Sequence, residues 1–289
     1  MPECIHGFDE GLCDSCFPRK APEPKNVPTR TPRATRSSGV SSLRQSTTST
    51  SRSGAARSSS NSGAAGGPAA YNLATQRVFH FTHIRNLPGI LADGALRADA
   101  APAVDVTSTL ARDARAELET PVGSRIADHV AFALTAESER WRELRAIFAR
   151  ETPVTSHWAA VVAGLAASDF VVLALPVAKL GAEVIVSDGD AAAGSSRFAV
   201  GVDAGNILLR QCRSSAYFAD PDDTSADIGL REGELLAGAS VPVSSIALIG
   251  VAHEPARDRV REILADAWPS GSGAAPKVAV YPPWFQVAE

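Results

Sequence analysis

The sequence predicts an α+β fold, a mixed sheet with flanking helices, preceded by a short cysteine-rich segment and a linker. The chain has 289 residues, 45% of them hydrophobic, so it is long enough to bury a full core. Strand-like and helix-like segments do not alternate regularly, which argues against a doubly wound sheet. The composition changes near residues 18 and 70. These changes predict three pieces, namely residues 1–18, 19–70 and 71–289.

The first piece contains a set of residues with the spacing of zinc ligands. Cys4, His6, Cys13 and Cys16 form the pattern C-x-H-x6-C-x2-C. Three thiolates and one imidazole complete a tetrahedral zinc site with no open position, so a bound metal would be structural. The alternatives are scattered residues without a shared role, or a redox pair at Cys13 and Cys16. We expect a zinc knuckle over residues 1–18.

The second piece, residues 19–70, is basic and poor in large apolar side chains. It carries nine basic residues against the single acidic Glu23, a charge of +8, and because the whole chain is −4 the remainder is −12. Such a segment cannot bury enough surface to offset its ordering entropy, so we expect disorder. Two interpretations stay open, a solvated linker and an arm that attracts nucleic acid.

The third piece begins with a strand and a short helix. The alternating "RVFHFTH", residues 77–83, predicts the strand. Asn86 is expected to be the N-cap of the helix, Pro88 fits its first turn, and Gly94 ends it.

The later elements follow from periodicity in the same way. A second helix is expected at 137–151, with Trp141, Leu144, Ile147 and Phe148 facing inward, and a third at 254–268. Strands are expected at 128–135, 169–177, 183–188, 197–201, 245–252 and 277–284.

Several common functional signatures are missing from the sequence. It contains no Gly-rich dinucleotide fingerprint, P-loop, G-x-S-x-G elbow or H-E-x-x-H motif. No stretch has the roughly 18 consecutive apolar residues of a membrane span. The start "MPECIHGFDE" lacks the basic and apolar regions of a secretory signal. We therefore expect a cytoplasmic protein with no membrane partner.

Four segments together resemble a known family. "HFTHIRNLPGILADGAL", residues 80–96, resembles the start of the DarT family, toxins that transfer ADP-ribose from NAD to bases of single-stranded DNA. Three further segments are similar to stretches of that family and occur in the same order. They are "PVGSRIADHVAFALT", "VVLALPVAKLGAEVIVSDGDAA" and "REGELLAGASVPVSSIALIGVA".

The resemblance implies an ADP-ribosyltransferase-like fold, NAD as a substrate, single-stranded DNA as the acceptor and a macrodomain-type antitoxin as a partner. It also implies that Glu234 is the catalytic carboxylate. The resemblance further implies that Arg115 is the arginine that acts with this carboxylate and contacts NAD. Arg112 is the alternative. By the same resemblance His80 and Thr82 bind NAD, and Asn86 lies at its edge.

The residues alone also permit structural interpretations. Asn86 would then only cap a helix, and His80 would lie at the edge of the core. Glu234 would be a solvated charge at a strand end, with Glu232 as a rival carboxylate. The aspartates at 188 and 190 would be turn formers. His83 is expected to be structural, and Cys212 a core thiol.

Two departures from the family pattern leave the acceptor open. The family's Gln-Ala-Glu is replaced by Glu232-Gly233-Glu234, and His129 stands in place of a tyrosine. A Glu-x-Glu pair resembles the signature of enzymes that modify protein arginines. The alternatives are therefore an ADP-ribosyltransferase acting on protein or RNA, and a non-catalytic nucleic-acid-binding module with the same fold.

Overall fold

The computed structural model describes residues 71–149, 162, 164–220, 222–223 and 225–287. The expected zinc knuckle and the basic linker lie outside these residues. The described part of the chain contains ten strands and five α-helices.

Eight strands form one sheet in the order β10-β9-β4-β1-β3-β7-β5-β6. All neighbouring pairs in it are antiparallel except β9 and β10, which are parallel. β2 and β8 form a separate antiparallel pair. The strands are β1 Arg77–His83, β2 Ala95–Arg97, β3 Ala131–Ala133, β4 Phe170–Pro176, β5 Ile185–Ser187, β6 Phe198–Val200, β7 Glu234–Leu236, β8 Ser240–Pro242, β9 Leu248–Val251 and β10 Lys277–Val280.

The helices flank this sheet. They are α1 Leu87–Asp93, α2 Thr109–Glu117, α3 Glu139–Phe148, α4 Val202–Ala219 and α5 Glu254–Ala267. Among the described residues, no helix combines the length and the apolar character that a membrane crossing requires. The arrangement is a mixed α+β fold, as the sequence predicts.

The central strand β4 packs against helices on both sides of the sheet, because its side chains alternate between the two faces. Val171 and Leu173 are fully buried in a cluster that includes residues of α1 and α5. Phe170 and Val172 belong to a second cluster, which includes the inward residues of α3. Burial on both faces explains why β4 reads as a continuous apolar run.

Most of the predicted elements are confirmed, with some differences in length. β1 has the predicted limits, and Gly94 ends α1 in the left-handed region at φ 66°. In α3 the predicted residues Trp141, Leu144 and Ile147 are buried. The strand expected at 128–135 is reduced to the three residues of β3.

One local prediction is confirmed only in part, since Asn86 takes the N-cap position of α1 without a capping hydrogen bond, and one long helix is not predicted. Asn86 precedes α1, but its side chain makes no capping hydrogen bond, because the amide is used elsewhere. Helix α4 is not predicted because Gly205, Asn206 and two adjacent serines lower its helix propensity. Gly205 is required there, since a Cβ atom would lie 2.6 Å from Val186 Cγ2 of β5.

Candidate active site

A large cavity of about 1160 Å³ opens beside β1, β3 and the start of β7. It is somewhat larger than the roughly 300–1,000 Å³ of typical small-molecule sites. The residues expected at the site line it, namely His80, Thr82, Asn86, Arg112, Arg115, Glu232 and Glu234. The structure therefore brings together residues that the chain separates by more than 150 positions.

Arg115 and Glu234 form an ion pair in the wall of this cavity. Arg115 Nη2 lies 2.7 Å from Glu234 Oε1 and 2.6 Å from Oε2. The side chains are only 11% and 14% exposed, so water screens this pair weakly. Asp190 Oδ1 accepts a further hydrogen bond from Arg115 Nη2 at 3.1 Å. Burial acts to lower the pKa of Arg115, but Glu234 and then Asp190 outweigh it and raise that pKa.

The Glu234 carboxylate is oriented by the backbone as well as by Arg115. The N–H of Ala191 donates to Glu234 Oε2 at 3.1 Å, and the N–H of Glu234 donates to Ser187 Oγ at 3.3 Å. Gly233 allows the strand to begin in this tight place, because a Cβ atom there would lie 2.6 Å from Leu134 Cδ1. Glu234 is thus fixed from three sides.

The alternative arginine and the alternative carboxylate differ from this pair in solvent exposure and in the residues that they contact. Arg112 is exposed and binds Asp105, with 2.6 Å between Nη2 and Oδ2. Glu232 is exposed on the turn before β7. The structure places Arg115, and not Arg112, against Glu234. One buried donor of Arg115, its Nε–H, has no hydrogen-bond partner within the described residues.

A second wall of the cavity comes from β1 and the residues after it. His80 Nδ1 lies 3.2 Å from the carbonyl oxygen of Ala131, and because a carbonyl can only accept, Nδ1 carries the proton. Burial lowers the pKa of His80, which favours the neutral ring. Nε2 of the neutral ring is then an acceptor.

Asn86 ties a loop of the chain to this wall. Its Nδ2 donates to Val104 O at 2.8 Å and to Thr82 Oγ1 at 3.0 Å, while its Oδ1 accepts from Val104 N at 2.8 Å. Asn86 and Thr82 are both buried. The polar residues of the opening motif therefore build the cavity wall.

Three further residues considered in the sequence make contacts that stabilise the local structure. His83 Nδ1 accepts from Arg85 N at 3.1 Å at the start of a 3-10 turn. Asp188 holds the backbone N–H and the guanidinium of Arg197, at 2.7 and 2.6 Å. Cys212 is half-buried, and burial raises the pKa of its thiol, as for an inert core cysteine.

Two residues of the site and one hydrogen-bond network are not predicted from the sequence. Asp190 was expected only as a turn former, yet it also binds Arg115. Arg140, in the first turn of α3, lines the cavity and was not singled out. Ser124 Oγ lies 2.7 Å from His129 Nε2, and His129 Nδ1 lies 2.7 Å from Ala237 O. This network joins the loop after α2 to the end of β7.

No group of three or more metal-ligating side chains occurs among the residues that the structure describes. The four expected zinc ligands, Cys4, His6, Cys13 and Cys16, lie outside them.

A mixed sheet lies beside a large cavity, and an arginine holds a carboxylate in the cavity wall, as expected for the ADP-ribosyltransferase that the sequence resembles. The family model described as "ssDNA thymidine ADP-ribosyltransferase, DarT" matches residues 79–286, well over half of the chain. The chain belongs to the DarT family. No match was found among curated proteins.

Several solved structures have a similar fold. "Thermus sp. 2.9 DarT in complex with ADP-ribosylated ssDNA" is 20% identical, with a TM-score of 0.55 over 73% of this chain and 96% of that one. The same protein "in complex with carba-NAD+" is 22% identical, with a TM-score of 0.54 over 74% and 100%. "Thermosipho africanus DarTG in complex with ADP-ribose" is 15% identical, with a TM-score of 0.51 over 73% and 51%. At these identities the likeness concerns the fold.

Proposed function

We propose that this chain transfers ADP-ribose from NAD to thymidine bases of single-stranded DNA, with Glu234 and Arg115 at the reacting centre. The observation that carries the proposal is the Arg115–Glu234 pair, fixed in the wall of a cavity large enough for a dinucleotide. The family description and the bound molecules named for the Thermus protein support the same substrates.

The Glu234 carboxylate suits the chemistry of the ribose. Transfer breaks the bond between nicotinamide and the anomeric carbon, and positive charge develops on the ribose as in glycoside cleavage. A carboxylate already oriented by Ala191 N–H and Arg115 stabilises this charge without reorganisation at the moment of reaction. Glu234 is therefore the proposed catalytic residue.

Arg115 has donors left for the substrates. Its Nη2 holds Glu234, whereas its buried Nε–H has no partner among the described residues. A buried donor of this kind gains a full hydrogen bond when a substrate oxygen reaches it. We assign to Arg115 both the orientation of Glu234 and a contact with NAD.

In the transfer step, thymine is the nucleophile and nicotinamide is the leaving group. The ring nitrogen that carries a proton forms the new bond to the anomeric carbon, while nicotinamide leaves with the electrons of the old one. The proton released from thymine passes to solvent by way of the carboxylates of this wall. Glu234 and the exposed Asp190 are the carboxylates within reach of Arg115.

The β1 side of the cavity is proposed to hold NAD. His80 and Thr82 line it and supply neutral hydrogen-bonding groups. The amide of Asn86 is engaged with Val104 and Thr82, so Asn86 serves NAD by holding the loop beside it.

Radiolabelled NAD tests the function directly. We expect label on a thymidine-containing single-stranded oligonucleotide, and none on the same oligonucleotide without thymidine. Glu234→Ala should abolish transfer but retain NAD binding, because the loss falls on the transition state. Label on RNA or protein instead would favour the other acceptors. An active Glu234→Ala protein would refute the catalytic assignment.

The N-terminal pieces are proposed to form a zinc knuckle and a DNA-attracting arm before a transferase domain at residues 71–289. The spacing of Cys4, His6, Cys13 and Cys16 supports one structural zinc. Metal analysis of the purified chain should give one zinc, and the double variant Cys13→Ser with Cys16→Ser should give none. Deleting 19–70 should reduce both DNA affinity and its dependence on salt.

The cellular setting is proposed from the family and from the cysteines. We propose that the chain is the toxin of a pair, restrained by a macrodomain-type antitoxin, since the Thermosipho protein is named DarTG. A thiolate-rich zinc site suits the reducing cytoplasm. Expression of the chain alone should be toxic, and the Glu234→Ala variant should be tolerated.

A further inference from the structure

Asp190 supplies a further carboxylate to the cavity, beside the Arg115–Glu234 pair. It lines the cavity on the loop that follows β5. Its Oδ1 accepts hydrogen bonds from Arg115 Nη2 at 3.1 Å and from the N–H of Ala192 at 2.8 Å. Its Oδ2 accepts none from the described residues, although a carboxylate oxygen has two lone pairs. The site therefore keeps one oxygen available as an acceptor.

The backbone around Asp190 holds this carboxylate in place. The carbonyl of Asp190 accepts hydrogen bonds from the N–H of Ala193 at 2.8 Å and from Ser196 Oγ at 2.7 Å. One residue earlier, the carbonyl of Gly189 accepts from Ser187 Oγ of β5 at 2.7 Å. A polar group that is fixed in advance acts on a substrate without reorganisation at the moment of reaction.

The two carboxylates that share Arg115 differ in what they can still bind. Both oxygens of Glu234 are engaged, by Arg115 and, at Oε2, also by the N–H of Ala191. The Glu234 side chain is 14% exposed, whereas that of Asp190 is 51% exposed. Glu234 thus suits the ribose inside the cavity, and Asp190 suits a group that arrives from solvent.

The bases of DNA differ in what they would place against such an oxygen. Ring nitrogen N3 of thymine carries a proton, and so does N1 of guanine. At the same edge, N3 of cytosine and N1 of adenine carry a lone pair, which a carboxylate oxygen repels. Enzymes that act on a base read this edge once the base has left the stack. A fixed carboxylate therefore favours a base with a ring N–H.

We propose that Asp190 recognises the acceptor base by accepting the ring N–H of thymine at Oδ2, and that it takes this proton during transfer. The electron pair of the N–H bond forms the new bond to the anomeric carbon, while nicotinamide leaves with the electrons of the old one. Asp190 becomes a carboxylic acid and then releases the proton to solvent. The inference rests on the proposed function, because that function supplies the thymine.

The chain offers a matched control in the same cavity. Asp105 also lines it, but its Oδ2 binds Arg112 at 2.6 Å. Asp105→Asn and Asp190→Asn remove the same charge, and only the second removes it beside Arg115. Asn at position 190 keeps an oxygen for the two hydrogen bonds that Oδ1 receives, so the turn is retained.

The recognition part of the test measures binding of single-stranded oligonucleotides without NAD, so no transfer occurs. The oligonucleotides carry either one thymine or one cytosine in a strand of adenines. The wild type should bind the thymine strand about tenfold more tightly, the value of a hydrogen bond to a charged group. Asp190→Asn should lose this preference, because an amide can turn its N–H or its oxygen to either base.

Asp105→Asn should keep the preference for thymine. Recognition by Asp190 is wrong if the wild type binds both strands equally, if Asp190→Asn keeps the preference, or if Asp105→Asn loses it as well.

The proton part measures single-turnover transfer to the thymine strand across a range of pH. Asp190→Asn should lower the rate at neutral pH by about 10²-fold or more, because a general base is lost. The deficit should narrow as the pH rises, since thymine then loses its ring proton to solvent without help. Arg115, Glu234 and Arg140 face Asp190 from other elements, and they are the same in both proteins.

A deficit that stays constant with pH, or an equal deficit in Asp105→Asn, would contradict the proton role. Should Asp190→Asn fail to fold, as judged by thermal unfolding, Asp190→Glu is measured in its place. That variant keeps the charge but moves the oxygens by one methylene group, and it should change preference and rate in the same direction.

Failure of this inference is distinct from failure of the proposed function. If the wild-type chain transfers no ADP-ribose to DNA, the proposed function is wrong, and the base preference alone decides the recognition by Asp190. If transfer occurs but the Asp190 variants keep the wild-type preference and rate, the inference alone is wrong.

Discussion

The two walls of the cavity are built in different ways. The β1 wall consists of neutral groups close together in the chain, with Asn86 and Thr82 only four residues apart. The charged wall joins Arg115 to Glu234 across 119 residues and to Asp190 across 75. The first wall comes mainly from one strand and the residues just after it, although His80 also contacts Ala131 of β3, whereas the second requires distant parts of the chain to assemble.

This difference also determines what a substitution costs. Removing one partner of a poorly solvated ion pair leaves the other charge uncompensated, which costs stability as well as the chemistry that the pair serves. Removing a neutral group leaves unsatisfied hydrogen bonds, and the cost falls first on local stability. We therefore expect variants of the charged wall to lose both rate and stability, and variants of the β1 wall to lose mainly stability.

The largest expected effect comes from breaking the charged wall at Arg115. Arg115→Ala should lower the transfer rate by about 10²- to 10³-fold, because Glu234 loses its orienting partner. Arg112→Ala is the matched control, since Arg112 is exposed and binds Asp105. Single-turnover transfer to DNA measures both. Equal impairment of the two variants would contradict the assignment of Arg115.

The next effect comes from breaking the β1 wall at Asn86. Asn86→Ala leaves the N–H and C=O of Val104 without partners and should lower the free energy of unfolding by roughly 1–3 kcal/mol. Denaturant unfolding measures this change in the free energy of unfolding. Asn86→Asp keeps the acceptor for Val104 N but sets a carboxylate oxygen against Val104 O at a buried position, so it should lose at least as much. A variant with wild-type stability but a greatly reduced transfer rate would overturn the contrast between the walls.

The pH dependence of the free energy of unfolding tests the β1 wall further. Burial lowers the pKa of His80 from its ordinary 6.5, so the folded chain resists a proton that the unfolded chain accepts. The free energy of unfolding should therefore fall as the pH drops below about 6.5, by up to about 1.4 kcal/mol per pH unit. The fall should level off below the folded-state pKa.

The variant His80→Gln isolates this contribution. Glutamine keeps a donor for Ala131 O but does not titrate, so the acid slope of unfolding stability should be smaller than in the wild type. An unchanged slope would exclude His80 as its source. Burial also lowers the pKa of His83, so His83→Gln should reduce the slope in the same direction.

The smallest expected effect concerns Glu232, at the edge of the charged wall. Glu232→Ala should change DNA transfer by less than about threefold, because an exposed charge contributes little. An enzyme that modifies protein arginines would need the carboxylates of both Glu232 and Glu234. Loss of DNA transfer in Glu232→Ala, with Glu234 intact, would place Glu232 at the reacting centre.

The β1 wall was predictable from the sequence because its determinants are local. The alternation of residues 77–83 specifies the strand, and Gly94 specifies the end of α1. Even so, Asn86 takes the predicted N-cap position without making the capping hydrogen bond. The loop that takes up its amide, at Val104, lies 18 residues away and carries no signal of its own.

The charged wall was predictable only in part. Glu234 and Arg115 were identified through the resemblance to a family, since neither lies in a motif specific enough to stand alone. Asp190 was missed because its contact with Arg115 depends on how β5 and β7 pair. Arg140 was missed because it sits in an ordinary amphipathic pattern, where charged residues normally face water.

The first described residues of the chain decide where this domain can be cut or joined to another protein. Leu73 is fully buried, its backbone N–H donates to Asn206 Oδ1 at 2.9 Å, and the Arg213 guanidinium lies over the Tyr71 ring at 5.2 Å. Residues 71–78 therefore belong to the folded unit, although the family match begins only at residue 79. A fragment that began at residue 79 would lack these contacts and leave the adjoining surface of α4 uncovered. A transplantable module must begin at or before residue 71.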